Sequence, residues 1–404
     1  MRHREPIVHW TSTDRWRCGL LSAAAVFLGY ASVTYSLAQF LTESNPELAH
    51  RLAPYDGRVS ARLAASLAGP DAKASDRVRS DALARRALGD DPTVVMAVAT
   101  LGINAHARGD VATARRLFAY SQRLSRRDLQ TQLWAIEDAV GRGEIVEALQ
   151  HYNVALRVWP DSSELLFPVL ASASTEPEIR RALIRTLAEK PSWSNSFVNY
   201  LASNGPDPQV AAQMFSDLAR VGGFVPDYAR AGVINALIVR GMPDKAWAYY
   251  ASSHVADRRR SRDPRFTANL QTPSQLDWLP ASGGDIITSI HSGIFEFSAP
   301  SGIGGPLIQQ VQFLPPGDYV LSGHSSGIDL GDETHPYWVL KCQDGRELGR
   351  AVLPNSVQLN GNFSGRFSVP VTCSLQTLAL VARPSDAAGG IAGQINWVQL
   401  APEE

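Results

Sequence analysis

The sequence predicts a multidomain protein of α and β elements: an N-terminal transmembrane helix, an α-solenoid of helix pairs and a C-terminal antiparallel β-sandwich. Three observations predict it. Residues 18–41 form an uncharged apolar run, residues 44–254 space their apolar side chains as helices do, and residues 276–401 change to short alternating segments separated by Gly and Pro. The 404 residues suffice for roughly two to three domains.

The apolar run at 18–41 is long enough to cross a bilayer of about 30 Å. The preceding residues 1–17 contain Arg2, Arg4, Arg15 and Arg17 and no run of acids, which favours a cytoplasmic N-terminus. We therefore expect a single-pass anchor in the inner (cytoplasmic) membrane, with the bulk of the chain in the periplasm. A cleaved signal peptide is an alternative, because Ser36-Leu37-Ala38 resembles a small-x-small cleavage site. A buried helix of a soluble protein is another.

Two stretches of the helical region share a pattern. ARGDVATARRLF begins at 107 and GRGEIVEALQHY begins at 141, 34 residues later. A period of 34 residues is the length of a tetratricopeptide repeat. When Val95 and Leu129 are taken as first positions, small and large apolar residues fall at the signature positions of two adjacent units: Leu101, Gly102, Ala114 and Phe118, then Ala148, Tyr152, Ala155 and Pro160.

Residues 61–160 thus resemble the tetratricopeptide repeat family, and 45–54 and 239–250 resemble it more weakly. A generic α-solenoid or bundle is the alternative. The resemblance implies stacked helix pairs with a concave face that binds a protein partner. No nucleophile motif, phosphate-binding loop or carboxylate pair stands out, so we expect a non-enzymatic protein without a cofactor.

Residues 255–275 lose the helical period and include Arg258, Arg259, Arg260, Arg262 and Arg265. We interpret this segment as a solvated linker between the helical domain at 44–254 and the β-sandwich at 276–401. The alternative is a contact for an anionic glycan or lipid. The net charge of the whole chain is −1, and a nucleic-acid binder normally carries a basic surplus, so no nucleic-acid partner is expected.

Eight strand-like segments follow, separated by turn signals such as PPGD at 315–318 and NGN at 360–362. They span 286–298, 307–314, 317–326, 337–343, 347–353, 364–371, 376–383 and 393–400. Cys342 and Cys373 end the strand-like stretches YWVLKC and FSVPVTC, and an exported chain would let them form a disulfide. Two buried free thiols are the alternative, whereas zinc is disfavoured by the spacing.

FLPPGDYVLSG at 313–323, with the closing strand INWVQL, resembles galactose-binding-like jelly rolls, a sandwich found in many carbohydrate-binding modules. The resemblance implies a glycan ligand, held by aromatic faces and polar groups. We predict a site at the loop 325–337 and nearby aromatics, comprising Trp278, Asp329, Asp332, His335, Tyr337 and Trp338. Trp338 and Trp397 are alternatively core residues, and the loop is alternatively a calcium site or plain surface.

This domain order resembles membrane-anchored tetratricopeptide proteins that accompany bacterial polysaccharide synthesis and export. The resemblance implies a non-catalytic scaffold, with helical repeats that bind a protein of an envelope or polysaccharide assembly complex and a sandwich that binds glycan. A periplasmic chaperone-like adaptor without glycan binding is the alternative. A carbohydrate-active enzyme is a third, disfavoured because no facing pair of carboxylates is recognisable.

Overall fold

The computed structural model describes residues 12–69, 71–329, 334–384 and 390–403. The chain divides into two compact units, Met1–Ser162 and Ser163–Glu404, and each is described by itself. Within the described residues there are fourteen α-helices, α1 to α14, and ten β-strands, β1 to β10. The fold class predicted from the sequence is therefore confirmed, with helices preceding a two-sheet sandwich.

The first helix, α1, spans Ser12–Leu41. Its segment Gly19–Leu41 is long and apolar enough to cross a membrane, and large side chains such as Val26 and Phe27 are exposed along it. The segment has the length and composition of a signal anchor, and an N-terminal signal sequence meets the same criteria.

The rest of the first unit consists of helices whose ends repeat with the predicted period. Helices α4, α6 and α8 end at Asp90, Leu124 and Val158, 34 residues apart each time. The helices are α2 (Pro46–Leu52), α3 (Gly57–Ser66), α4 (Ala74–Asp90), α5 (Val95–Ala107), α6 (Val111–Leu124), α7 (Leu129–Gly141) and α8 (Ile145–Val158). This is a helical repeat-like region.

Small residues at the signature positions let neighbouring helices approach. A Cβ atom at Gly102 of α5 would lie 2.8 Å from the ring of Phe118 of α6. That ring is buried and stacks on Trp134 of α7, with centroids 4.3 Å apart. The other signature residues Leu101, Ala114, Ala148, Tyr152 and Ala155 are buried as well, whereas Pro160 begins an exposed 3₁₀ turn.

The second unit begins with six further helices around an aromatic core that includes Phe167, Trp193 and Phe197. They are α9 (Ser163–Ala173), α10 (Pro177–Ala188), α11 (Ser194–Asn204), α12 (Pro208–Arg220), α13 (Asp227–Val239) and α14 (Pro243–Ala251).

Ten strands follow in the same unit and form two antiparallel five-stranded sheets, ordered β1-β4-β9-β6-β7 and β2-β3-β10-β5-β8. The strands are β1 (Leu279–Pro280), β2 (Ile287–His291), β3 (Ile294–Ala299), β4 (Gly305–Gln312), β5 (Gly317–Ser326), β6 (Tyr337–Cys342), β7 (Glu347–Val352), β8 (Asn362–Val369), β9 (Gln376–Ala382) and β10 (Ile391–Pro402).

The single strand predicted at 286–298 is wrong: the segment forms the hairpin β2–β3. Its turn residues Ser292 and Gly293 have φ angles of 51° and 78°, in the left-handed region that a two-residue hairpin turn requires. The Gly at the second position accepts that conformation without strain.

The inward side chains of the two sheets form one apolar core, with Trp338 and Leu378 from the first sheet and Phe295, Leu321 and Val398 from the second. At its edge a disulfide joins Cys342 to Cys373, as predicted, with Cα atoms 5.8 Å apart. A stable disulfide is typical of proteins that fold in an oxidising compartment.

The segment 255–275 is not uniformly solvated, which corrects its interpretation as a solvated linker. Arg262 is only 5% exposed, and Phe266 belongs to the sandwich core. Arg262 donates hydrogen bonds from Nε to the carbonyl of Leu276 and from a terminal nitrogen to the carbonyl of Val311. The segment thereby contributes to the packing of the sandwich.

Candidate ligand-binding face

Three of the residues predicted to bind glycan are core residues in the structure. Trp338 is fully buried, Trp278 is 5% exposed and His335 is 4% exposed. The Nε1 atom of Trp278 donates to the carbonyl of Asp263, and Nδ1 of His335 pairs with the carbonyl of Leu353. Because a ring must expose a face to stack on a sugar, the prediction for these three side chains is corrected to a role in packing.

The other predicted residues differ in their surroundings. Asp329 is exposed and accepts a hydrogen bond from Nδ2 of Asn355 at 2.9 Å. Tyr337 is half-buried, with the guanidinium carbons of Arg350 and Arg383 at 4.0 and 5.0 Å from its ring centre. The arginines therefore already occupy positions over the ring that a ligand would need. Asp332 lies outside the described residues.

The outward surface of the second sheet provides a different site. Along β5 and β10 the exposure alternates, so that Leu321, Gly323, Val398 and Leu400 point into the core and their neighbours point outward. We use the name polar face for seven of the outward side chains of the three central strands. They are Glu296 from β3, Gln394, Asn396 and Trp397 from β10, and Ser322, His324 and Ser326 from β5.

Strand register aligns part of the polar face in one row. Gln394 lies directly opposite Glu296 on one side and Ser326 on the other. Its Nε2 donates to Oε1 of Glu296 at 2.6 Å, and its Oε1 accepts from Oγ of Ser326 at 3.2 Å. Cross-strand hydrogen bonds therefore fix the orientation of all three side chains.

A β-bulge in β10 places two adjacent residues on this face. The register shifts between Ile395 and Trp397, so Trp397 lies opposite His324 and Asn396 is the extra residue. The Oδ1 atom of Asn396 accepts a hydrogen bond from Nδ1 of His324 at 2.8 Å. It lies 3.1 Å from Oγ of Ser326, whose single hydroxyl hydrogen it shares with Oε1 of Gln394. The bulge thus brings an oriented amide next to a partly exposed indole.

This arrangement can recognise a ligand that has both an apolar ring face and hydroxyl groups. The indole offers a flat apolar surface, and amide, hydroxyl and carboxylate groups offer donors and acceptors around it. Because their hydrogen bonds to each other hold them in place, little side-chain entropy would be lost on binding.

A cavity of about 670 Å³ is also present in the second unit, beside the C-terminal end of α14. Tyr250 and His254 stack at its wall with ring centres 4.2 Å apart, and Asp263 and Asp277 line it. Both carboxylates are already hydrogen-bonded: Asp263 accepts from Thr267, and Asp277 accepts from Tyr250 and Ser274. The internal bonding indicates that this polar lining stabilises the segment around it.

Metal ligation has no candidate in the described part of the chain, where no three His, Cys, Asp or Glu side chains form a group that could hold an ion.

Sequence reasoning considered Trp397 but did not include it among the predicted site residues. The signal that distinguishes it from Trp338 is its place beside a bulge, and the bulge becomes visible only when β10 is paired with β5. The polar residues between the apolar ones in GQINWVQL were visible, but their partners lie 98 and 68 residues away along the chain, at Glu296 and Ser326.

Comparison with known proteins gives little further information. No protein-family model matches the chain, and no curated protein matches its sequence. One solved structure with partial similarity is the "Glycosylation Associate Protein (Gap123) complex from Streptococcus agalactiae", at 14% identity and a TM-score of 0.21. The match covers 29% of this chain and 38% of that chain, so the chain spans well under half of its neighbour. A likeness of this extent carries no argument about fold or function.

Proposed function

We propose that the protein is a membrane-anchored, non-enzymatic scaffold whose β-sandwich binds glycan and whose helix pairs hold a protein partner. The observation that carries the proposal is the polar face, where a partly exposed indole lies among cross-bonded, partly exposed polar side chains of one sheet. Sugars combine an apolar ring surface with hydroxyl groups, and this combination matches the chemistry of the face.

The anchor and the disulfide support a periplasmic location for this activity. The apolar segment of α1 can hold the chain at the inner membrane, and the arginines before it favour a cytoplasmic N-terminus. The Cys342–Cys373 bond favours an oxidising compartment for the sandwich. Together they support a scaffold on the periplasmic side, of the kind that serves envelope or exopolysaccharide assembly or export.

The helix pairs support a protein partner. Helix pairs of this period resemble tetratricopeptide repeats, a class of repeat that binds partners on an extended surface. Anchoring both surfaces on one membrane-bound chain would raise the local concentration of partner and glycan. The proposal includes no cofactor and no catalytic residue.

The test is glycan retention by the full chain in nanodiscs. Immobilised polysaccharides of different composition should retard the protein, and empty nanodiscs should pass through. A chain that binds none of them, but captures a specific envelope protein, would overturn the glycan part and indicate an adaptor. Turnover of a polysaccharide that disappears on Asp329→Asn would contradict the non-enzymatic part.

A further inference from the structure

We infer that the ligand of the polar face is an uncharged oligosaccharide that lies across strands β3, β10 and β5, with one sugar ring stacked on Trp397. The inference rests on the proposed function and adds the ligand class, its direction and its anchor. Four features of the face support the inference: its charge, its hydrogen-bond donors without an acceptor in the protein, its dimensions and its indole.

The charge of the face disfavours an anionic glycan. Among the outward side chains of β3, β10 and β5 the charged ones are Glu296 and Asp318, and both are acidic. The nearest outward arginine on the neighbouring strand β8, Arg366, already pairs with Glu403 at 3.0 Å. A uronate, sulfate or phosphate on the ligand would approach Glu296 without a lysine or arginine on these strands to offset the repulsion. A neutral sugar meets no such penalty.

The donors on the face match sugar hydroxyls. Within the described residues, Nδ2 of Asn396, Oγ of Ser322 and Nε1 of Trp397 have no hydrogen-bond acceptor in the protein. The carboxylate of Glu296 adds an acceptor. Its Oε1 accepts from Gln394, whereas its Oε2 lies 3.6 Å from Nε2 of His291 and can accept from a ligand. A sugar hydroxyl both donates and accepts, so it can pair with either kind of group.

The dimensions of the face favour more than one sugar. Glu296 and Ser322 lie on strands separated by β10, and neighbouring strands are about 4.8 Å apart, so the two side chains are roughly 10 Å apart or more. One ring cannot reach both. A chain of several sugars that crosses the strands can contact Glu296, Trp397 and Ser322 in turn, and affinity should therefore rise with chain length.

The Trp397 side chain is the anchor because it supplies the one indole surface among these polar groups. Aromatic residues in the centre of a binding surface contribute most of its affinity, whereas surrounding polar contacts give orientation. The bulge at Asn396 fixes the position of Trp397 relative to His324, so the stacking surface exists before the ligand binds.

The experiment uses the full chain in nanodiscs and isothermal titration. The probes are neutral glucan, mannan and galactan oligosaccharides of increasing length, and an oligouronate of matched length. We expect a neutral oligosaccharide to bind more tightly as it lengthens and to bind more tightly than the oligouronate. Replacement Trp397→Ala should weaken this binding about tenfold or more, which corresponds to about 1.4 kcal/mol. Trp397→Phe should retain most of it.

Two further variants separate the alternatives. Tyr337→Ala removes a half-buried aromatic from the other sheet and should leave the affinity unchanged. Glu296→Gln should leave the oligouronate still weaker than the neutral ligand, because β3, β10 and β5 contain no lysine or arginine to hold a carboxylate. Near-ultraviolet circular dichroism verifies that each variant keeps its fold. If Trp397→Ala does not fold, Trp397→Leu maintains the test, because it keeps an apolar side chain but removes the flat ring and should weaken binding in the same way.

The outcomes are distinct. Preference for the oligouronate, or glycan binding that survives Trp397→Ala in a folded chain, would overturn this inference and leave the proposed glycan binding intact. Failure of the wild-type chain to bind any glycan would overturn the proposed function itself.

Discussion

Gly102 lacks a side chain because the ring of Phe118 occupies the space where one would be. A Cβ atom there would lie 2.8 Å from the ring, and Phe118 cannot move away because it stacks on Trp134. We expect Gly102→Ala to destabilise α5–α7 by about 1–3 kcal/mol, despite the better helix propensity of Ala. Hydrogen exchange of the α5 and α6 amides measures the loss.

Gly89 is the matched control for this prediction. It also lies inside a helix, α4, but a Cβ atom there would have no neighbour within 4 Å. Gly89→Ala should leave hydrogen exchange unchanged, or slow it by an amount that corresponds to up to about 1 kcal/mol of added stability. Equal effects of the two substitutions would contradict a packing role for Gly102.

Arg262 is a second residue whose surroundings determine how much its replacement changes stability. Burial lowers the pKa of its guanidinium to about 10, yet three acceptors hold it: the carbonyls of Leu276 and Val311 and Oε1 of Gln312. Arg262→Met would leave those acceptors unpaired, so we expect the free energy of unfolding to fall by about 3 kcal/mol. Faster hydrogen exchange of the β4 amides would reveal this loss of stability. Arg259→Met, at an exposed side chain that pairs with Asp257, should change little.

At the scale of the elements, one carboxylate connects three helices of the first unit. Asp138 of α7 pairs with Arg115 of α6 at 2.7 Å and with Arg142 at 3.1 Å, and Arg142 pairs with Glu147 of α8. The hydrogen bond from Arg115, followed by that from Arg142, holds the pKa of Asp138 below its usual 3.8. Its charged form is therefore favoured in the folded chain.

The sign of the pH dependence follows from this lowered pKa. The unfolded chain binds the proton at higher pH than the folded chain, so the stabilisation is present above about pH 4 and is lost as pH falls through the lower folded pKa. Asp138→Asn should lower the helical melting temperature at neutral pH, by the equivalent of about 1 kcal/mol of stability, and should have a smaller effect near pH 2. Far-ultraviolet circular dichroism melts at both pH values measure the difference.

The control for this pH effect is Asp71→Asn, at an exposed carboxylate in the loop before α4. It should leave the melting temperature at neutral pH unchanged within about 0.5 kcal/mol. A penalty for Asp138→Asn that is the same at both pH values would contradict an ionic origin.

The elements differ in how much of them the sequence predicts. The period of α5–α8 is predictable because small residues must recur wherever helices cross, and those contacts lie within one unit of the sequence. The hairpin β2–β3 was missed because Ser292-Gly293 is a weak turn signal inside an apolar run. The polar face was missed because it depends on the pairing of β10 with β3 and β5, which single-strand alternation does not reveal.

Aromatic residues gave the largest error in the predicted site, and the reason is physical. Trp278 and Trp338 lie in apolar surroundings, and the free energy gained by burying an indole exceeds that of leaving it exposed for a ligand. Trp397 instead follows an Asn in the bulge and remains partly exposed. A strand aromatic next to a bulge is therefore a better candidate for a sheet-face site than one in a continuous apolar run.

At the scale of the whole molecule, the proposal requires that the glycan-binding face and the helix pairs lie on the same side of the membrane. The chain has one helix in its described residues that is long and apolar enough to cross, and every later element follows it in the sequence. If α1 crosses the membrane as proposed, both proposed binding surfaces lie on the side opposite the N-terminal arginines.

This topology gives the last prediction. An alkaline phosphatase reporter, which folds only after its own disulfides form, should be active when fused after residue 404 and inactive when fused after Arg17. A fluorescent protein that folds only in the cytoplasm should give the opposite pattern. In addition, Cys342 and Cys373 should resist alkylation in intact cells until a reductant is added. Alkaline phosphatase that is inactive after residue 404, with cysteines that react without reductant, would place the sandwich in the cytoplasm and contradict a periplasmic scaffold.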